Sequence, residues 1–208
     1  MLQSHIHLQY ILFVQQAFQY LEQQFVDHVI LSLGYKHEVV IDWLRSKAFT
    51  FKVSWVIERE PLGTGGGIKL ALQKAKNPEV FILNGDTFFD VNLRAMQSLL
   101  TENTKAVLAL KPLEHFDRYG TVTLNDAQQI IAFEEKKPQE KGLINGGTYL
   151  VKRGSILHAD YPTTFSFEQL FLEPHAQLGT LQGLIQEGTF IDIGIPEDFE
   201  KAQTLFAK

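Results

Sequence analysis

Helical and strand-like segments alternate along the first 111 residues, and this alternation restricts the fold more than any other feature of the chain. Apolar residues recur at helical spacing in four segments, and we predict helices at residues 7–24, 36–47, 68–76 and 91–102. Short apolar runs lie between or after these segments, and we predict strands at residues 26–33, 51–57, 80–83 and 105–111. This order predicts an α/β fold with a largely parallel sheet that carries helices on both faces.

The second half of the sequence has a different pattern, in which β-rich segments are separated by polar turns. We predict strands there at residues 120–124, 129–135 and 143–152, arranged more like hairpins than crossovers. A helix, a short strand and a last helix are then predicted at residues 165–172, 188–194 and 196–207. The sequence contains no internal repeat and no linker, so we predict a single domain over residues 1–208.

Composition excludes several classes of protein. The 208 residues are 45% hydrophobic and 21% charged, which is typical of a globular domain with a sizeable core. The net charge of −5 argues against nucleic acid as a partner. Because the chain has no cysteine, disulfides, thiolate catalysis and cysteine-ligated zinc are excluded. The sequence shows neither a membrane-spanning apolar run nor a signal peptide, so we expect a cytoplasmic protein without a membrane partner.

The stretch VFILNGDTFFD, residues 80–90, contains the first candidate site residue. Its apolar run predicts a strand that is buried on both faces. Gly85 then allows a turn that a residue with a Cβ would resist, and Asp86 follows just past the carboxyl end of the strand. Ligands bind at that end of open α/β sheets, and a carboxylate there suits a hard cation such as Mg²⁺. The alternative interpretation is a solvated turn aspartate.

A second aspartate has the same setting. Asp192 lies in FIDIGIPEDF, at the end of an apolar strand and close to Gly194. Two such carboxylates converging on one edge of the sheet would form a Mg²⁺ site with positions open for substrate oxygens. An isolated Asp-x-Gly is more often a turn, so this pattern alone leaves both interpretations open.

A glycine-rich loop at residues 63–67 precedes the third predicted helix. Glycines before a helix let backbone N–H groups approach a phosphate or the edge of a base. Ile68 stands where the dinucleotide-binding pattern requires its third glycine, which argues against a NAD-dependent dehydrogenase. The alternative is a flexible surface loop.

Two weaker sequence patterns contain the remaining candidate site residues. Lys136 lies at the end of a predicted strand, where it could bind an anion, although a run of charges is usually a solvated face. Asn145-Gly146-Gly147 interrupts a predicted strand, and glycine there often marks the close approach of a ligand. No HExxH, GxSxG or Walker lysine motif occurs, so covalent catalysis has no clear candidate.

These motifs together resemble those of the sugar-1-phosphate nucleotidyltransferases, and most closely those of the mannose-1-phosphate and heptose-1-phosphate guanylyltransferases. The residues that carry the resemblance are EPLGTGGG (60–67), LNGDTFFDVNL (83–93), RYGTV (118–122), FEEKKP (133–138), INGGTYL (144–150) and FIDIGIPEDF (190–199). Each motif alone is weak. The set follows the family's order, spans most of the chain and is specific.

The resemblance implies a Rossmann-like, three-layer α/β/α nucleotidyltransferase fold with a mixed, mainly parallel sheet. It implies that a sugar 1-phosphate attacks the α-phosphorus of a nucleoside triphosphate, expected to be GTP, and that pyrophosphate leaves. Asp86 and Asp192 would hold Mg²⁺, and Lys136 would neutralise the phosphate of the sugar. The residues implied to bind the substrates are Leu62, Gly63, Thr64, Gly65, Gly66, Asn84, Gly85, Gly120, Glu135, Asn145 and Gly146.

The sequence departs from the family pattern at its start. In such enzymes a strand, a glycine-rich loop ending in Thr-Arg and a Lys-Pro segment precede the first long helix and bind the triphosphate. No such segment precedes the first predicted helix here, so we expect the N-terminal strand to be missing from the sheet, with weak triphosphate affinity and little turnover. An exposed gap at that place would favour a homodimer.

Two functions remain open from the sequence. The missing segment favours a non-catalytic relative that binds sugar phosphate or nucleotide, or that only pairs with a partner subunit. The presence of Asp86, Lys136 and Asp192 together favours a nucleotidyltransferase, because no structural need requires all three.

Overall fold

The structure, a computed structural model, describes residues 2–194, except the side chains of residues 2–10 and 12. The helices are α1 (Leu2–Gln23), α2 (His37–Arg45), α3 (Gly63–Leu72), α4 (Leu93–Gln97), α5 (Arg153–Leu157) and, directly after a π-helical turn (Glu168–Leu172), α6 (Glu173–Gln177). The strands are β1 (His28–Leu33), β2 (Lys52–Ile57), β3 (Glu79–Leu83), β4 (Thr87–Phe89), β5 (Ala106–Phe116), β6 (Val122–Leu124), β7 (Ile130–Phe133), β8 (Gln139–Lys152), β9 (Leu181–Ile185) and β10 (Phe190–Asp192). The helix predicted at 196–207 lies outside the described residues. Among these residues, no helix has the length and apolar character needed to cross a membrane.

Two sheets form the frame of the molecule. Strands β1 and β2 pair in parallel, and β3, β8, β5 and β9 form a four-stranded sheet in that order. Within it, β8 is antiparallel to both β3 and β5, whereas β5 and β9 are parallel. Two short antiparallel pairs, β4 with β10 and β6 with β7, complete the described strands. The α/β fold with a mixed sheet that the sequence predicts is therefore confirmed.

The position of α3 shows that β1 and β3 point in the same direction. Its first turns lie at the carboxyl end of β1, because a Cβ added to Gly67 would lie 3.4 Å from the hydroxyl of Ser32. Its last turn lies at the start of β3, because Arg153 donates to the carbonyl oxygens of Leu72 and Pro78 at 3.0 and 2.7 Å. Of the strands in the two sheets, only β8 therefore runs against the common direction.

The two sheets form one layer, although no strand pairing joins β1 to β3 within the described residues. Alternate residues of these two strands pack into the same two hydrophobic clusters, one on each face of the layer. One cluster takes the even-numbered residues Ile30, Val80 and Ile82. The other cluster takes the odd-numbered residues Val29, Leu31, Phe81 and Leu83. The layer therefore continues across the place where its hydrogen bonding is interrupted.

Burial differs sharply between the strands of this layer. Val107, Leu108 and Leu150, in β5 and β8, are 0% exposed. The apolar residues of β1 and β3 are only half-buried. The strand predicted at 80–83 is packed on both faces, but its residues are only half-buried, because one edge of β3 has no strand beside it in the described chain.

Short elements account for the other differences from the predicted secondary structure. Strands β4 and β9 and helices α5 and α6, each of five residues or fewer, are not predicted from the sequence. The helix predicted at 91–102 is reduced to α4, where the side chain of Asn92 accepts a hydrogen bond of 3.1 Å from the N–H of Ala95. The helix predicted at 165–172 is replaced over its second half by the π-helical turn.

Candidate active site

The two aspartates singled out in the sequence lie side by side in the structure. Strand β4 begins directly after Asp86 and pairs with β10, which places Asp192 opposite Thr87. The backbone N–H of Ile193 donates to the carbonyl oxygen of Asp86 at 2.8 Å. Asp86 is exposed and Asp192 is half-buried. The fold therefore places two aspartates that are more than a hundred residues apart in the chain on neighbouring backbone segments.

Neighbouring groups fix the carboxylate of Asp192 on both oxygens. Its Oδ1 accepts a hydrogen bond of 2.8 Å from the backbone N–H of Gly194, and its Oδ2 accepts one of 3.1 Å from the hydroxyl of Tyr119. Arg118 donates in turn to the Tyr119 hydroxyl at 2.8 Å. Burial raises the pKa of the Tyr119 phenol, so the hydroxyl stays protonated as a donor. Sequence reasoning missed Tyr119, although it lies in the RYGTV motif.

The donor set at this place suits a divalent cation bound mainly by water and substrate. Within the part of the chain that the structure describes, no group of three or more histidine, aspartate or glutamate residues could hold a metal. Asp86 and Asp192 lie on neighbouring backbone segments, and each could supply carboxylate oxygens. Mg²⁺ is commonly bound by one or two carboxylates and completes its octahedron with water and phosphate oxygens. The two aspartates fit that mode of binding.

Residues of β8 hold the turn that precedes Asp86. The backbone N–H of Asn84 donates to the carbonyl oxygen of Gly147 at 2.9 Å. Asn145 donates from its amide to the Tyr149 hydroxyl at 2.8 Å and accepts from the N–H of Gly147 at 3.1 Å. Tyr149 is 1% exposed, and burial raises the pKa of its phenol. The predicted substrate-binding residues Asn84, just after β3, and Asn145, on β8, are therefore joined through Gly147.

A bulge in β8 accounts for the two glycines after Asn145. Leu108 pairs with Tyr149 and Leu110 pairs with Asn145, so one residue of β5 faces three residues of β8. The last of the three, Thr148, is 2% exposed. The first, Gly146, is buried against the ring of Phe89 in β4, where an added Cβ would lie 2.3 Å from a ring carbon. Bulges of this kind re-aim side chains and are frequent next to active sites.

The prediction that Gly85 occupies a turn that a residue with a Cβ would resist is wrong. Its φ is not in the left-handed region, and an added Cβ would meet no atom within 4 Å. The backbone conformation that requires glycine is found across the turn, at Gly147, where φ is +73°. A Cβ there would lie 3.0–3.2 Å from the side chain of Asn84.

Gly120 lies on the other side of Asn145. Thr121 bridges Ile144, which brings the RYGTV segment beside the bulge of β8. A Cβ added to Gly120 would lie 2.3 Å from the carbonyl oxygen of Glu134, so this glycine packs directly against the segment between β7 and β8. That segment carries the predicted site residues at positions 135 and 136.

Both of those residues, Glu135 and Lys136, are exposed to solvent. The adjacent Lys137 has a structural partner, because its ammonium lies 2.7 Å from the carboxylate of Glu134. The predicted anion ligand Lys136 therefore lies on an accessible segment beside Gly120.

The glycine-rich stretch forms the first turns of α3 and not the predicted loop. Gly65 donates its N–H to the carbonyl oxygen of Phe165 at 2.9 Å, and Phe165 donates to the carbonyl oxygen of Leu62 at 3.0 Å. A Cβ at Gly65 would lie 2.1 Å from the ring of Phe165, and one at Gly66 would lie 2.4 Å from the carbonyl oxygen of Thr163. Close packing on residues 163–165 therefore accounts for these two buried glycines.

The accessible part of this stretch is its beginning. Gly63 and Thr64 are exposed and Leu62 is half-buried, whereas Gly65 and Gly66 are buried. Contact of a ligand with α3 is therefore available chiefly at positions 62–64.

Glu168 connects the start of α3 to the rest of the site, and sequence reasoning missed it. Its Oε2 accepts hydrogen bonds from the hydroxyls of Thr64 and Ser166 at 2.9 and 3.0 Å. Its negative charge adds to the effect of burial in raising the pKa of the Tyr149 phenol. No sequence signal marks Glu168, because it occurs in a segment with an ordinary helical pattern.

Comparison with known proteins identifies the family of the chain. The family model for nucleotidyl transferases matches residues 5–208. Two D-glycero-alpha-D-manno-heptose 1-phosphate guanylyltransferases, from Aneurinibacillus thermoaerophilus and Campylobacter jejuni, are 43% and 42% identical to this chain. The matches cover 92% and 90% of this chain and 83% and 82% of the relatives.

A solved structure is also similar to this chain in sequence and fold. HddC from Yersinia pseudotuberculosis complexed with GMP-PN is 35% identical in sequence and superposes with a TM-score of 0.81. The superposition covers 90% of this chain and 82% of that protein. The chain therefore belongs to the nucleotidyl transferase family and, within it, to the sugar-1-phosphate nucleotidyltransferases.

Proposed function

We propose that this chain transfers GMP from GTP to D-glycero-α-D-manno-heptose 1-phosphate and releases pyrophosphate. The observation that carries the proposal is the placement of Asp86 and Asp192 on neighbouring backbone segments beside the carboxyl end of β3. The choice of base and sugar is supported by the two guanylyltransferases that are 42–43% identical to the chain.

The proposed chemistry needs charge neutralisation and positioning more than a nucleophilic side chain. A phosphate oxygen of the sugar forms a bond to the α-phosphorus of GTP, and the bond from that phosphorus to the bridging oxygen of the β-phosphate breaks. Pyrophosphate carries the electron pair away. Mg²⁺, when held by Asp86 and Asp192, would supply positive charge to the phosphate oxygens. The absence of a catalytic triad motif from the sequence agrees with this chemistry.

The structure supports a division of the site into two ends. Lys136 would neutralise the phosphate of the sugar, with Gly120, Glu135 and Asn145 around the sugar itself. The base would contact α3 at residues 62–64, which are accessible. Gly65 and Gly66, which the sequence also suggested as contacts, are buried and would act by letting the start of α3 pack closely on residues 163–165.

Pyrophosphate release with GTP and heptose 1-phosphate tests the proposal, and Asp192→Asn serves as the site-disabled control. We expect product from GTP in excess of that from ATP, CTP or UTP, and less product with mannose 1-phosphate. The KM for GTP measured in this assay also tests the prediction of weak triphosphate affinity. Absence of pyrophosphate release, with sugar phosphate still bound in calorimetry, would instead favour a non-catalytic relative.

A further inference from the structure

We propose that Tyr119 is a positioning residue for Asp192, and that its hydroxyl sets the affinity of the site for a divalent cation. The inference rests on the proposed function, because it assigns Asp192 to the cation. It concerns a side chain that neither the sequence motifs nor the comparisons assign to the site.

The hydrogen-bonding chemistry of the three side chains fixes the direction of each bond. A guanidinium has donors only, so Arg118 must donate to the oxygen of Tyr119. The phenol has a single proton, which is then left for the carboxylate of Asp192, 3.1 Å away. A hydroxyl that accepts from a cation is polarised and donates more strongly. The series therefore directs one polarised donor to Oδ2.

Aromatic packing fixes the ring that carries this hydroxyl. The ring of Tyr119 lies edge-on to Phe190, with centroids 6.0 Å apart, and tilted against Phe116 at 6.4 Å. Phe190 is two residues before Asp192 on β10 and packs edge-on against Phe89 of β4 at 5.7 Å. The ring therefore packs directly on β10, which carries Asp192, and is linked to β4 through Phe190.

The consequence concerns the orientation of the carboxylate. Oδ1 of Asp192 is already bound by the N–H of Gly194, so the hydroxyl on Oδ2 prevents rotation about the last side-chain bond. Each oxygen keeps a lone pair for a cation. Groups that orient a metal ligand in this way typically change metal affinity by about 10–100-fold when they are removed.

Tyr119→Phe removes the hydroxyl and keeps the ring, and Tyr35→Phe is a matched control because Tyr35 is 92% exposed. Mn²⁺ is the probe, and its free concentration is followed by electron paramagnetic resonance without nucleotide. We expect Tyr119→Phe to weaken Mn²⁺ binding by about tenfold. In turnover, we expect the half-saturating Mg²⁺ concentration to rise similarly, with kcat at saturating Mg²⁺ and the melting temperature unchanged.

Mn²⁺ binding by the Asp192→Asn variant distinguishes an error in this inference from an error in the proposed metal site. Mn²⁺ binding that is lost in Asp192→Asn but unchanged in Tyr119→Phe would overturn the positioning role alone. A lower melting temperature with unchanged Mn²⁺ affinity would do the same, because it would show a structural role only. If the unmodified chain binds no Mn²⁺, both the proposed metal site and this inference are wrong.

Discussion

Two adjacent lysines offer a test of the anion site at the level of single residues. Lys136 lies exposed beside Gly120, whereas Lys137 is paired with Glu134 at 2.7 Å. If Lys136 neutralises the phosphate of the sugar, Lys136→Met will raise the KM for the sugar 1-phosphate by at least about tenfold, the effect of losing one charge-assisted bond. Initial rates at varied sugar 1-phosphate measure this change.

Lys137→Met is the control for that experiment, because it removes the same charge from the next position. An exposed ion pair contributes little to stability, so we expect this variant to keep both its KM and its melting temperature. Equal increases in KM for the two variants would mean that only the general positive charge of the segment matters.

An added Cβ would be hindered at Gly147 but not at Gly85, which allows a paired test of stability. Gly147→Ala would place a Cβ against Asn84 at a φ of +73°, and we expect a loss of about 1–2 kcal/mol in the free energy of unfolding. Gly85→Ala is the matched control, since its added Cβ enters open space, and we expect a change within about 0.5 kcal/mol. Urea denaturation measures both, and similar losses would contradict the structural distinction.

Sequence reasoning could select site residues only where a local signal existed. Asp86 and Asp192 each follow an apolar strand and have a glycine nearby, so both were found. Tyr119 and Glu168 were missed because their roles depend on contacts with residues 73 and 104 positions away. At the buried glycines of α3 the structure shows close packing, which the sequence could not distinguish from ligand approach, because both require the absence of a Cβ.

At the scale of elements, β1 and β3 are the least protected strands of the layer. Each pairs on one side only within the described residues, so about half of its amides lack a strand partner there. Their apolar side chains are half-buried, unlike those of β5 and β8. We expect hydrogen exchange at β1 and β3 to be much faster than at β5 and β8, because local opening there exposes fewer buried contacts.

Exchange measured by mass spectrometry in the free chain decides this prediction. The outer edge of β2, which is also unpaired in the described chain, serves as an internal reference for a single open edge. Protection of β1 and β3 equal to that of β5 and β8 would mean that the two edges are covered in solution. Sedimentation of the same sample would then show whether the predicted homodimer covers them.

The elements that the sequence predicted well are those whose hydrophobic pattern is local. Helices α1 and α2 and strands β1 and β2 lie close to their predicted positions, because amphipathic spacing specifies them locally. Strand β4 has only three residues and is stabilised by β10, so no local pattern could reveal it. The order of strands, with β8 between β3 and β5, depends on pairings that the sequence does not encode locally.

At the scale of the whole molecule, nucleotide binding should appear as a change in thermal stability. A ligand that binds only the folded state stabilises by about 2.7 kcal/mol when its concentration is 100 times Kd. For a chain of this size, that corresponds to a rise of about 5–10 °C in the melting temperature. We therefore expect GTP with Mg²⁺ to raise the melting temperature more than ATP, CTP or UTP does.

Two controls test whether the shift in melting temperature with GTP depends on the proposed metal site. Replacing Mg²⁺ by EDTA should reduce the shift with GTP, because the aspartates would then face the phosphates without an intervening cation. Asp192→Asn should reduce it similarly, whereas Tyr35→Phe should leave it unchanged. A cooperative melt that no nucleotide shifts would contradict the proposed guanylyl transfer by this polypeptide. A shift with GTP that needs a far higher concentration than a shift with sugar 1-phosphate would instead confirm the prediction of weak triphosphate affinity.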